Sequence, residues 1–105
     1  MKIKKPIYVI SLDSREVIKY DSLEYAQDDL EAYDLDEYKA YDSKFRKLEL
    51  YKLDKYNRVG FRLIDHNCSY PDELEVYIRN YLEVIGKSNI VGNLEHLLLF
   101  IESEN

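Results

Sequence analysis

The twenty residues FRKLELYKLDKYNRVGFRLI, spanning 45–64, decide how this chain is read. In the first half Leu48 and Leu50 alternate with Lys47, Glu49 and Tyr51. In the second half Val59, Phe61 and Leu63 alternate with Arg58, Gly60 and Arg62. A period of two puts alternate side chains on opposite faces, the pattern of a strand with one buried and one wet side. Asp54-Lys55-Tyr56-Asn57 has the length and turn residues of a hairpin loop. Residues 45–53 and 58–64 are therefore expected as an antiparallel pair.

Moving towards the N-terminus, residues 37–41 read as a short strand, with Tyr38 and Ala40 opposite Lys39 and Tyr41. Residues 42–44 turn the chain. Residues 7–12 and 16–20 are rich in β-branched and aromatic side chains and flank Asp13-Ser14-Arg15, so residues 1–20 read as a β-hairpin opening at Pro6. Between these strand regions lies Asp21-Ser22-Leu23-Glu24. With Asp21 as N-cap and Glu24 three residues on, it forms a capping box, and Leu23, Ala26 and Leu30 continue at helical spacing. A helix is expected within 21–32 and a connection over 33–36.

Towards the C-terminus, Ser69 is the expected N-cap of a helix over 70–86, with Pro71 and Asp72 in its first turn. Leu74, Ile78, Tyr81, Leu82 and Ile85 form its apolar face, and Gly86 stands where a left-handed residue ends a helix. Residues 93–102 contain the run Leu97 to Ile101, which suits a helix or a buried strand. Asn93 as N-cap favours the helix. The expectation is one α+β domain over 1–105: a mainly antiparallel sheet of about five strands with two or three helices packed on one face.

Composition narrows the function classes. A single cysteine, Cys68, cannot form an internal disulfide, and no apolar run approaches the ~20 residues of a bilayer span. A cytoplasmic protein is expected. The three glycines are too scattered for a phosphate-cradling loop, and the lysines near the N-terminus and around Lys44 lie beside acids, which disfavours a nucleic-acid surface. Cys68 with His66 or His96 is the minimum for a thiol nucleophile. Two zinc ligands fall short of the usual four, and a polar loop with a partly buried thiol is the favoured reading. No metal, cofactor or catalytic residue is assigned.

The charge is distributed unevenly. Residues 20–42 hold nine carboxylates against one base, Lys39, whereas the rest of the chain has a surplus of two bases. Tyr20, Tyr25, Tyr33, Tyr38 and Tyr41 are interleaved with these acids. A concentrated negative field steers a basic partner, and tyrosines add contact area at low entropic cost. The candidate partner-binding residues are Asp28, Asp29, Asp34, Asp36 and Glu37 for charge, with Tyr25, Tyr33 and Tyr38 as aromatic anchors. The alternative is a solvated acidic face that serves solubility.

The segments Tyr20-Asp-Ser-Leu-Glu-Tyr-Ala26 and Glu37-Tyr-Lys-Ala-Tyr-Asp-Ser43 resemble small uncharacterised bacterial proteins in which a capped helix leads into such a strand. In make-up the chain is similar to bacterial toxin-immunity proteins, which are small, acidic and non-enzymatic. That resemblance implies a basic protein partner such as a nuclease toxin. A self-associating module, a homodimer built through residues 97–101, is the second expectation.

Overall fold

In the computed structural model, which describes residues 2–103, the chain begins with a hairpin of β1 (Ile7–Ser11) and β2 (Val17–Tyr20). Arg15 closes the turn in the left-handed region at φ 66°, its N–H donating to the Ser11 carbonyl. Then follow α1 (Leu23–Asp29), a 3-10 helix (Ala32–Glu37), β3 (Tyr38–Tyr41), β4 (Lys47–Lys52), β5 (Val59–Leu63), α2 (Pro71–Val84) and α3 (Leu94–Leu98). The five strands form one antiparallel sheet in the order β2-β1-β3-β4-β5. The class is α+β, as expected.

Strand periodicity sorts the sheet residues onto two faces. Tyr8, Ile10, Val17 and Tyr41 pack against α2 and α3 through Leu74, Ile78, Leu82, Leu94 and Leu97. Burying each such aliphatic side chain is worth about 1.5–3 kcal/mol. On the other face Ile7, Val9, Tyr20, Ala40, Leu48, Val59 and Phe61 enclose Ala26 and Leu30 of α1 and its continuation. The helices therefore do not share one face. α1 touches both β2 and β5, the two outer strands of the sheet. One short helix can reach both only if the sheet is coiled, so α1 closes the mouth of a half-barrel. The pattern of 21–32 shows that a helix exists there and says nothing of which side receives it.

Several boundaries shift for local reasons. Ser22, not Asp21, caps α1: its Oγ accepts the Tyr25 N–H at 3.2 Å, while Asp21 accepts the Ser103 hydroxyl at 2.5 Å. Tyr70 rather than Ser69 precedes α2 and makes no side-chain cap, with Pro71 entering the first turn. The expected connection 33–36 is wound as the 3-10 helix. At the far end of α2, Gly86 lies at φ 78°, its N–H bonded to the Glu83 carbonyl and that of Lys87 to the Leu82 carbonyl. This is the double bond pattern that closes a helix at a left-handed residue. In the last segment Asn93 caps α3 by accepting the His96 N–H at 3.0 Å. After Leu98 the chain turns, and Ser103 bridges to Lys19 beside β2.

Gly60 lies under a neighbour. A Cβ there would come within 2.4 Å of the Tyr51 ring, which crosses from β4 to cover it. The Arg62 guanidinium stacks 4.7 Å from the centroid of that ring and also binds Glu49, with Nε at 2.8 Å. These side chains form the solvent face of the β4–β5 pair.

Candidate partner-binding face

α1 presents its carboxylates because Ala26 and Leu30 commit its other side to the core. Tyr25 and Asp28 stand on the exposed side. Asp29, also at the surface, accepts the buried Tyr20 hydroxyl at 2.6 Å, so it anchors a core tyrosine. Asp28 lies 3.7 Å from Arg58 Nη1, and the Nε of the same arginine donates to Asp54 at 2.8 Å. Part of the helix charge is thereby met from the β4–β5 turn.

That turn is the component the sequence pattern left out. Asn57, at φ 63°, accepts the Ala32 N–H on its carbonyl at 3.1 Å and donates its side-chain amide to the Tyr33 hydroxyl at 2.6 Å. It pins the 3-10 helix to the tip of the β4–β5 hairpin. Between the two lies a cleft of about 360 Å³ lined by Asp28, Glu31, Tyr33, Tyr56 and Arg58. Tyr33 and Tyr56 are 72% and 73% exposed, large rings in a lining that also carries Asp28, Glu31 and Arg58, with Lys55 Nζ 5.2 Å from the Tyr56 ring centroid. Tyr56 and Glu31 were absent from the expected residue set. Glu31 lies within the acidic stretch, whereas only the hairpin, which carries residues 54–57 back to the 3-10 helix, could have pointed to Tyr56.

The other candidates separate. Tyr38 packs half-buried against the concave core and is not an exposed anchor. Asp34 falls within the 3-10 helix, and its side chain lies outside the described part of the structure. Asp36 and Glu37 are exposed and make no ion pair among the described residues. Asp36 borders a different cleft, of about 350 Å³, where β3 and β4 part after pairing only through Ala40–Leu48 and Tyr41–Lys47. The acidic stretch is thus one run in sequence and two neighbourhoods in space.

Asp42, the last of the nine acids, is fully buried. Its carboxylate accepts the N–H groups of Lys4 (3.2 Å), Lys44 (3.0 Å) and Arg46 (3.0 Å), with Arg46 Nε at 3.0 Å and Nη2 at 2.5 Å. Burial alone would raise its pKa, but the Arg46 side chain and the three backbone donors outweigh burial and hold it below the ordinary aspartate value. Glu73, in the first turn of α2, behaves similarly: burial opposes ionisation, and the Tyr41 hydroxyl with the Lys47 and Lys39 ammoniums prevails. Its own burial, and then the same contact, push Tyr41 above the usual tyrosine range. Asp42 thus ties the N-terminal segment to the β3–β4 turn, and Glu73 ties α2 to β3 and β4.

Cys68 donates its thiol to Asp65 at 3.2 Å, and this bond and the Asp65 charge push the thiol pKa up. Such a setting disfavours the thiolate that nucleophilic chemistry requires. Among the described residues no group of three or more His, Cys, Asp or Glu side chains is placed to hold a metal ion. None of the described helices is long and apolar enough to cross a membrane. Of the apolar run, Leu97 and Ile101 enter the core and Leu98 packs against it, leaving Leu99 and Phe100 exposed. No protein-family model matches the chain, and neither a curated protein nor a solved structure shows significant similarity to it.

Proposed function

We propose that this chain is a non-enzymatic binding protein that engages a basic protein partner at the cleft between α1, the 3-10 helix and the β4–β5 turn. The observation that carries this reading is the pair Tyr33 and Tyr56, each more than 70% exposed, beside Asp28 and Glu31. Rigid aromatic rings lose little entropy when a partner covers them. Glu31, Asp36 and Glu37, exposed and without an ion pair among the described residues, supply the long-range field that speeds encounter. A partner with a positive surface, such as a nuclease whose substrate is a polyanion, has the complementary chemistry. An immunity or inhibitor role follows from that pairing, in line with the resemblance in make-up.

Affinity capture from the native host, followed by rapid-mixing kinetics with the captured protein, tests the reading. Glu31→Gln, Asp36→Asn and Glu37→Gln together should slow association roughly tenfold at low salt and flatten its salt dependence. Tyr33→Ala with Tyr56→Ala should leave association nearly unchanged and accelerate dissociation by more than roughly tenfold, as expected for aromatic hot spots. Unchanged rates in both variants would refute it.

A further inference from the structure

On the opposite side of the sheet from α1, the end of the β1–β2 hairpin meets the middle of α2. There Ile10, Ser11, Leu12, Arg15, Tyr77 and Asn80 surround a cleft of about 200 Å³. Ile10 belongs to the core cluster packed by α2, which fixes the side of the sheet on which the cleft opens. Its lining combines the aliphatic Ile10 and Leu12 with the hydrogen-bonding side chains of Arg15, Tyr77 and Asn80. Arg15 makes no ion pair among the described residues, although Asp13 and Glu16 flank it in sequence. The Asn80 amide and the Tyr77 hydroxyl likewise have no hydrogen-bond partner among the described residues. No carboxylate lines the cleft, in a chain with 21 acidic residues and a net charge of −6. Lys39, the cross-strand partner of Ile10, lies 6.0 Å from the Tyr77 ring centroid and is paired with Glu73 at 3.8 Å, so Arg15 is the charge that lines the cleft.

We infer that this cleft is a binding site for a carboxylate carried on a short aliphatic stem. The guanidinium fork pairs with two carboxylate oxygens, and the neutral donors of Asn80 and Tyr77 complete the set around the anion. Ile10 and Leu12 receive the stem. A phosphate would share the donors but would place a polar oxygen against those aliphatic side chains, at a desolvation cost the carboxylate avoids. The volume lies below the ordinary range for drug-sized ligands, so only a small group fits. Two sources share this chemistry: a free short-chain acid, and a glutamate side chain presented by a peptide.

The test is a titration of the whole chain, followed by amide and arginine side-chain NMR, with butyrate, with an acetyl-Gly-Glu-Gly-amide peptide, and with inorganic phosphate. Saturable shifts centred on Arg15, Tyr77 and Asn80 with butyrate or the peptide support the site and identify its source. Arg15→Gln should weaken the effect roughly tenfold or more, the weight of one charge-assisted bond. Arg79→Gln, on the same helix but outside the cleft, should leave it intact. If Arg15→Gln disturbs the hairpin, Asn80→Ala on the exposed side of α2 carries the same test. Shifts of equal size with phosphate, shifts that survive both cleft variants, or no saturable shift up to tens of millimolar would each overturn the inference.

Discussion

Asp42 offers the sharpest test of how the fold is held, because its partners can be enumerated. Replacing it by Asn keeps the volume and removes the charge, leaving the Arg46 guanidinium nearly buried beside a neutral amide. Breaking a buried pair by neutralising one member typically costs about 3–5 kcal/mol, because the remaining charge is left uncompensated. With an unfolding entropy of roughly 2.1 cal/mol/K per residue, a chain of this length loses about 0.22 kcal/mol per kelvin at its midpoint. Asp42→Asn should therefore lower the melting temperature by roughly 14–23 °C. Calorimetry and urea unfolding at neutral pH should agree, with the urea slope unchanged.

The pH dependence supplies an internal control. Asp42 has a folded pKa depressed below the ordinary value of 3.8, so it stabilises the fold above that value. As pH falls through the folded pKa the contribution is lost, since the unfolded chain takes up the proton first. The stability gap between the natural chain and Asp42→Asn should be constant at neutral pH and narrow below about pH 4. A loss under about 1 kcal/mol at neutral pH, or a gap that stays constant into acid, would refute the reasoning.

Tyr41→Phe removes the hydroxyl donor from Glu73, should cost about 1.5–3 kcal/mol, and should raise the Glu73 pKa as read by carboxyl NMR titration. A Glu73 titration that does not move would show that Lys47 and Lys39 alone hold the carboxylate ionised. Gly60→Ala pushes a Cβ into the far end of the Tyr51 ring, which must swing aside on the solvent face, and by urea unfolding should cost about 1 kcal/mol, the low end for overpacking. In a Tyr51→Ala background the same substitution should cost much less, because the obstruction is then gone.

The fold could be read from the sequence wherever one local rule decided the outcome. Alternation at Leu48, Leu50, Val59, Phe61 and Leu63 gave the faces of β4 and β5, and Gly86 gave the end of α2. Where two rules competed, the nearer residue was not always the winner. Asp21 and Ser22 are both good caps; Ser22 caps the helix, and Asp21 accepts instead from Ser103, 82 residues away, a contact no local pattern announces. The placement of α1 was unreadable for a related reason. Ala26 and Leu30 announce a buried stripe, but the concave side is available only because the sheet coils until β2 and β5 come within reach of one helix.

The candidate site shows the same limit in electrostatic form. Charge counted along residues 20–42 treats every carboxylate as equivalent, whereas the fold assigns them different work. Asp42 is enclosed by five donors, Asp29 serves Tyr20, Asp21 serves Ser103, and Asp28 shares Arg58 with Asp54. Asp42 and Asp28 face guanidiniums, which reduces their weight in the long-range field, whereas Asp29 and Asp21 keep their charge and are held in place by hydroxyls. Among the described side chains, the exposed acids of this stretch without an ion pair include Glu24, Asp29, Glu31, Asp36 and Glu37, of which Glu24 and Glu31 were not among the partner-binding residues expected from the sequence. The tyrosines divide likewise: Tyr20, Tyr38 and Tyr41 spend their area on the core, and Tyr33 acquires its counterpart, Tyr56, from a hairpin tip 23 residues away. A binding surface on this chain is therefore a property of the β4–β5 register as much as of the acidic stretch. Substitutions that lengthen or reseat the turn at Asp54–Asn57 should disturb it without changing a single charge.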